Sequence, residues 1–589
     1  MTTVAIFGGG VAGMSAAHML ARRGFEVTVY DRNDTYAGGK ARSVDIPDTN
    51  TTDPDKYLPG EHGFRFFPGF YRHIIETLDE IPLPGGGVVS DNLVATETIQ
   101  INQIGDCPIP LPLDVPKSRK DLEKLFDALR EIDEEISRDE AKAFAGCVWQ
   151  LMTSCQGRYD DEYEKIGWWE FTRADEFGEG YRRLLVDGLT RSLVAAKARL
   201  ASTRTIGMMF TQLLYTLADG IEENTDRVLN APTNEAWLHP WLTYLRSLGV
   251  DYQWGRELVR VEMESDEPGA SIARARVREV GGGDASFDVE ADHYVLAVPV
   301  EVAAEVVENS DGLVVADPAL ANVKRLAPHV EWMNGIQYFL TKPFNMHRGH
   351  TVFSGSNYAL TSISQAQFWP GYDFSDRFDG RVKGILSVDI SDWDKPGNFN
   401  GKPAAQCTPE EVIEEVWEQL KNEINTGCSG RDELHDDMLV FSYLADSIYQ
   451  PVCEAKEAEE ASCRLHVEKD EKRAICELEN RDPLLVNVIN TLRLRPSAGT
   501  RIPNLTLASD YVRTHSDLAC MEGANEAARR AVNAILDSSG SDTERLGVWR
   551  FRSPFPLNFL QALDWVRWKL GLDWSGLFVW PWWNWKHRS

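Results

Sequence analysis

Apolar and polar positions follow three rhythms along this chain. Near the start, Val4, Ala5, Ile6 and Phe7 form an unbroken apolar run, which predicts a strand buried on both faces. Met14, Ala16, Ala17, Met19, Leu20 and Ala21 then favour a helix closing near Gly24, and Glu26-Val27-Thr28-Val29-Tyr30 reads as a second strand. Helical spacing dominates residues 118–145 (Leu122, Leu125, Phe126, Leu129, Ile132, Ile136) and 179–220 (Leu184, Leu185, Leu189, Leu193). Strand-like runs interrupted by Gly and Pro fill 330–390, including Gly335–Leu340 and Gly384–Ile390, and predict a mixed sheet. Thr408-Pro409-Glu410-Glu411 opens a capped helix. Residues 45–60, rich in Asp, Thr and Pro, read as a surface loop, and the charge-dense stretch 453–482 as a solvated helix or loop.

At 589 residues the chain exceeds one core, so two or more packed units are expected. A hydrophobic content of 43% is enough to build them. The net charge of −30 argues against a nucleic-acid surface on the body of the molecule. Nine cysteines, with no C-x-x-C pair, read as buried apolar residues in a reducing compartment. No metal site is expected; Cys453, Cys463 and Cys476, with His466 among them, match no ligand spacing. No apolar run reaches the roughly 18 residues of a membrane span, and no basic leader precedes the first strand.

Between the first two predicted strands lies the candidate chemistry. Gly8, Gly10 and Gly13, with Val11 and Ala12 between them, match the turn in which backbone approaches a pyrophosphate at a helix N-terminus. Glycine-rich turns also occur without a ligand, but here strand, turn, helix, strand and acid follow in order. Asp31, closing the second strand, can accept from the two ribose hydroxyls of an adenosine and would repel a 2′-phosphate.

Immediately downstream, Tyr36-Ala37-Gly38-Gly39-Lys40-Ala41-Arg42-Ser43 resembles the G-G-[RK]-x-[RST] element of the flavin amine oxidase and phytoene desaturase superfamily, and the resemblance extends to hydroxysqualene dehydroxylases. Near the other end, Ile502–Tyr511 and Leu518–Ala531 are similar to that superfamily's C-terminal FAD motif, with Ser509 where the family usually has glycine. Gly249–Val261 and Ala291–Pro299 resemble its middle segment. The resemblance implies an α/β fold: a Rossmann-like FAD-binding domain of the GR2 type assembled from three chain segments, with an interleaved mixed-sheet and helical substrate domain. The expected boundaries are 1–75, 240–300 and 485–540 for the FAD domain, and 76–239 with 301–484 for the substrate domain. Carried over position by position, Asp31, Arg32, Gly38, Gly39, Lys40, Ala41, Arg42, Val259, Asp510 and Met521 join the glycine turn as cofactor-binding residues.

On the substrate side, Glu61-His62-Gly63-Phe64-Arg65-Phe66-Phe67 matches an E-x-G-x-x-x-F stretch that passes the flavin in desaturase-like members. Candidate catalytic residues are His62, Arg65, Tyr71 and His515; the bland reading is a packed aromatic turn.

Beyond residue 540 the composition changes. Ser538–Ser541 reads as a linker, and the tail 541–589 holds Trp549, Trp565, Trp568, Trp574, Trp580, Trp582, Trp583 and Trp585, eight of the chain's 18 tryptophans. From Arg545 onward seven Lys/Arg face two acids, a net +5. Indole rings and cations together favour an anionic lipid surface, so a cytoplasmic protein held peripherally at a membrane is expected; the alternative is a tail docked on the protein or in a dimer interface. The expected reaction is hydride transfer between flavin N5 and an apolar isoprenoid, carotenoid or other unsaturated lipid, in desaturation, dehydroxylation or isomerisation, with quinone or oxygen as acceptor. The alternatives are an amine or amino-acid oxidase, and a non-catalytic flavoprotein partner in a lipid-modifying complex.

Overall fold

The computed structural model describes the chain except residues 98, 105, 111–117, 130–135, 189, 192–194, 217–225, 266, 284, 345, 376, 428–431, 454–463, 469–470, 476, 556 and 577–589. Two compact units emerge: Met1–Leu111, Asp226–Val486 and Arg493–Trp549 form the first, and Pro112–Thr225, Asn487–Leu492 and Arg550–Ser589 the second.

The first unit holds a five-stranded parallel sheet. Its order is Asp251–Gln253, β2 (Glu26–Tyr30), β1 (Thr3–Phe7), His293–Leu296 and Leu505–Leu507, so strands from three distant parts of the chain meet. The apolar run of β1 is explained by its central place: Val4 faces Val27 on one side and His293 on the other. On one face Ile6 meets α1 (Val11–Ala21), and on the other Phe7 stacks on Tyr30 and Tyr294, with ring centres 5.5 and 6.4 Å apart. Burying each such side chain contributes roughly 1.5–3 kcal/mol.

The same unit carries a seven-stranded, largely antiparallel sheet, in which Asn334–Leu340 and Gly384–Ile390 lie centrally and are buried at every position. Alternation sorts their side chains. Ile336, Tyr338 and Leu340 pack under the helix Pro409–Ile424, with the Tyr338 hydroxyl donating to Ile413 O at 2.7 Å. Phe339 and Ile385 point to the opposite face, beside Phe64, Val228, Ile363, Phe368 and Trp369. The expected cap of that helix is present: Thr408 and Glu411 exchange hydrogen bonds as a capping box.

Residues 45–60 are only in part a surface loop: 47–57 is mostly exposed, but its ends are paired. Ser43–Ile46 pairs antiparallel with Leu58–Glu61, and between them Thr49 and Asn50 are buried, Thr49 Oγ1 donating to Ile46 O. Proline at 54 and the string of acids hide a hairpin whose strands are only four residues long. Likewise, within 453–482 the backbone forms paired strands Arg464–Glu468 and Glu471–Ile475. The side chains of Cys453, Cys463 and Cys476 lie outside the described residues.

The second unit is helical. Arg119–Leu129, Arg138–Thr153 and Thr203–Thr216 supply the expected periodicity, but the stretch from 179 to 220 is not continuous helix. A wide turn spans Tyr181–Asp187, and Ala195 then takes a positive φ of 52°, which breaks the run.

The C-terminal tail is shared between the units. Leu546 and Asn533 exchange two hydrogen bonds, and the Trp549 amide donates to His73 Nε2 at 2.8 Å in the first unit. In the second, the helix Leu557–Lys569 buries Asp564, whose carboxylate accepts from Arg158 Nη2 at 3.0 Å and from the Cys155 amide at 2.9 Å. A buried carboxylate needs a buried cation, and Arg158 supplies it. Among the described residues no helix is long and apolar enough to cross a membrane.

Candidate active site

At the end of β1 the backbone turns through Gly8, Gly9 and Gly10 into α1, and a second turn, Gly38–Gly39, lies against it. Gly38 N donates to Gly9 O at 2.9 Å. The first amides of α1 have no intrahelical acceptor, Gly10 has no side chain to cap them, and no acid occupies the first turn. An added Cβ at Gly10 would meet nothing closer than Gly39 Cα at 3.8 Å, whereas one at Gly13 would strike Gly8 O at 1.9 Å. Gly13 is therefore required by packing, while Gly10 keeps a space clear above bare amides.

Asp31 stands beside that space. Its Oδ1 accepts from the Asn33 amide at 3.0 Å and its Oδ2 from the Tyr252 hydroxyl at 2.8 Å. The same hydroxyl lies 3.1 Å from Gly9 O, so Tyr252 ties the acid to the glycine turn from beneath. Burial pushes the Asp31 carboxyl above its usual range, against these donors. In the strand Arg256–Met263 the register slips between Leu258 and Arg260, leaving Val259 outside the cross-strand pairing as a bulge.

A ring of charge continues from there. Arg42 donates to Gly39 O at 2.9 Å and to Asp482 at 3.3 Å, and Arg32 reaches Asp482 at 3.9 Å. Burial would raise the Asp482 carboxyl, but the cations Arg42, Lys40 and Arg32 outweigh it and hold the group below its usual range. Lys40 bonds Pro483 O and lies 3.7 Å from Glu301. Both Glu301 carboxylate oxygens are out of solvent yet receive no hydrogen bond, and burial pushes this acid upward as well. An orphaned acceptor amid Lys40, Asp482 and Asp510 is what a ligand rich in hydroxyls would complete.

At the far side of the sheet, Asp510 accepts from Ser509 Oγ at 3.3 Å, and the helix Met521–Ser538 begins with Cys520 as its cap, the thiol accepting from Gly523 N at 3.3 Å. Tyr71 bonds that thiol, and burial keeps its phenol well above the ordinary range. His515 is held elsewhere on this helix, 3.2 Å from Arg530 and with its amide on Glu526.

The other two candidates sit on the turn after Leu58–Glu61. His62 Nδ1 is 3.3 Å from Ser447 Oγ, and burial lowers its pKa, with Asp482 opposing and Arg65, Arg42 and Lys40 reinforcing the shift. Burial thus disfavours its doubly protonated form, which makes it a poor general acid. Arg65 donates to Gly63 O at 2.6 Å and lines a small cleft, otherwise walled by Phe64, Val228, Leu229, Ala231, Thr233, Ile363, Gln365, Phe368 and Trp369. Sequence reasoning passed over the two acids beside it. Glu61 accepts from Thr233 N and Oγ1, both at 2.8 Å, and Asp389 packs against Gly63. Burial outweighs the pull of Arg65 and pushes each carboxyl to about 7. These two groups, not His62, hold exchangeable protons near neutrality.

A carboxyl whose pKa is raised on folding binds more protons folded than unfolded between its ordinary value and about 7, so stability falls as pH rises through that window. Glu61→Gln keeps both Thr233 contacts, with Oε1 accepting from the amide and Nε2 donating to the hydroxyl. Thermal melts should show it roughly 1–3 kcal/mol more stable than the parent at pH 8 and nearly equal at pH 5. Equal gains at both pH values would sink the assignment of a raised Glu61.

The residues present fit a dinucleotide: bare helix amides over a cleared turn, an acid for ribose, a bulged strand and an orphaned acceptor. The pattern of a family described as flavin containing amine oxidoreductase matches residues 11–536. No curated protein matches the chain. Among solved structures, it is similar to an oxidoreductase from Methanosarcina mazei (12% identity, 91% of this chain and 100% of that one, TM-score 0.52). Putrescine oxidase bound to putrescine aligns over 91% of this chain and 99% of that one at 14% identity, TM-score 0.55. Cyclohexylamine oxidase from Brevibacterium oxydans aligns over 92% and 99% at 13% identity, TM-score 0.51. At such identities these structures speak for the fold, and the family match speaks for the chemistry. Most of its length being matched, the chain belongs to the flavin-containing amine oxidoreductase family and is an FAD-dependent oxidoreductase.

Proposed function

We propose that this enzyme oxidises or reduces a neutral, unsaturated lipid of the isoprenoid or carotenoid class, as its resemblance to phytoene desaturases and hydroxysqualene dehydroxylases suggests. The observation that carries this is the small cleft at Arg65: its walls are mostly aromatic and aliphatic, Thr233 and Gln365 being the neutral polar exceptions, and its one charged lining group is a cation. An ammonium substrate would meet a like charge there, whereas an apolar chain is held by shape. No lysine is among the buried described residues, so the lysine often found near the flavin of amine oxidases has no buried counterpart among them.

Bound FAD supplies hydride chemistry at N5. The residues of the chain have other tasks. Phe64, Ile363, Phe368 and Trp369 exclude water, Glu61 and Asp389 can take or give the second proton near neutrality, and Arg65 limits how far either acid rises. His62 is held against Ser447, and its burial disfavours the imidazolium form. An oxidation would need an external two-electron acceptor such as quinone or oxygen, and a reduction an external donor.

Amine oxidation is the second reading, favoured by the same two acids, which could pair with an ammonium, and by the amines after which putrescine oxidase and cyclohexylamine oxidase are named. An anaerobic titration of flavin absorbance decides between them. Bleaching by liposomes carrying a polyene or isoprenoid alcohol, with simple amines silent, is the expected result; bleaching by an amine alone overturns the lipid reading.

A further inference from the structure

The helix Leu557–Lys569 carries apolar residues on its outer face as well as its inner one. Its acid, Asp564, is buried against Arg158, and Gln561 faces inward, donating to Met152 O at 3.0 Å. Leu557 and Trp568 also pack inward, but a second set of apolar residues points outward. Phe559, Val566 and Leu570 fall along one stripe and are 58%, 48% and 69% exposed, with Trp565 at 51% beside them and Phe555 at 79% just before the helix. The Leu570 amide still bonds Val566 O at 3.2 Å, so the stripe continues past the last helical residue.

An apolar face this large is kept in contact with something other than water. Charge identifies the occupant. Arg550, Arg552 and Lys569 are exposed around the stripe, and Lys569 lies over the Trp568 ring at 4.8 Å. The acids of the described tail from Arg550 onward are Asp564, bound by Arg158, and Asp573, while Asp161 and Glu162 at the end of the neighbouring helix pair with Lys165 and Arg158. This is a basic, aromatic surface on a protein of net charge −30. A second copy of the chain would bring repulsion across the rest of its surface, whereas an anionic bilayer attracts the cations and accepts the apolar stripe. The sequence continues in the same vein, with Trp580, Trp582, Trp583, Trp585, Lys586 and Arg588.

We propose that this outward stripe is a membrane-docking face, lying in the headgroup region of an anionic bilayer with Asp564–Arg158 as the anchor that sets its rotation. The face does not depend on which molecule enters the cleft at Arg65.

The test uses full-length, flavin-loaded protein floated with vesicles of phosphatidylcholine alone or mixed with phosphatidylglycerol. The parent should float with the anionic vesicles and lose most of that binding at high salt. Val566→Glu combined with Leu570→Glu should weaken binding about tenfold or more, while keeping the parental flavin content and circular dichroism. Phe287→Glu, which alters an exposed apolar residue of the first unit, should bind as the parent does. The proposal is overturned if the parent ignores anionic vesicles, or if the double variant binds them unchanged. It is also overturned if sedimentation shows a dimer that the double variant abolishes while vesicle binding persists.

Discussion

The Gly10→Ala variant is expected to fold as the parent does and to be isolated without flavin. Backbone at Gly10 is extended, with φ −75° and ψ −175°, so alanine meets no conformational penalty. The added methyl finds no protein atom within 3.8 Å, and the lost chain entropy of glycine should even stabilise the apoprotein by about 0.5 kcal/mol. What the methyl occupies is the approach to the first amides of α1. Keeping a pyrophosphate off those donors should weaken FAD by about 100-fold, near 3 kcal/mol. The check is the flavin-to-protein absorbance ratio beside the melting temperature of the apoprotein. A variant that keeps its flavin would show that no phosphate lies over this turn. Gly13 would not serve as the test, because there a Cβ collides with Gly8 O and stability itself is lost.

Glu522→Ala should cost about 3–5 kcal/mol of folding stability. From the first turn of its own helix, Glu522 reaches the start of another, His73–Leu78, and accepts from the amides of Arg72, His73 and Ile74 at 2.9, 2.9 and 3.0 Å. It also accepts from His73 Nδ1 at 2.7 Å, a tautomer required because His73 Nε2 accepts the Trp549 amide. Truncation strands four buried donors together. Glu522→Gln, which keeps one carbonyl oxygen, should recover about half of the loss. Urea unfolding followed by circular dichroism measures both, and a loss below about 1 kcal/mol for alanine would mean the cap is made by other groups.

Local features could be read from the chain because their determinants are adjacent. The run Val4–Phe7, the glycine turn and Asp31 lie within one βαβ unit, and Thr408 and Glu411 are three residues apart. The Met521 helix could be placed because its cap and small residues are contiguous. What escaped depends on partners that no spacing encodes. Tyr252 lies 221 residues from Asp31, and Glu522 lies 449 from His73. Glu61 and Asp389 become a proton-holding pair only when two sheets bury them beside Arg65. Glu301 had one sequence signal, its position just after Pro299 at a helix start. The tail showed its composition but not its orientation, because only Arg158 explains why Asp564 faces inward.

The order of strands in the parallel sheet has a consequence for how the enzyme acquires its cofactor. Leu505–Leu507 pairs with His293–Leu296, and the Met521 helix follows it, so the nucleotide site stays incomplete until nearly the whole chain has been synthesised. At roughly 5–20 residues per second, the early βαβ unit emerges long before its last neighbours and has to wait for them with one sheet edge unpaired. Flavin loading is thereby a late, whole-chain event. Once bound, the cofactor stabilises every segment that contributes to its site, including the far C-terminal one, so flavin supply and the yield of folded enzyme are coupled.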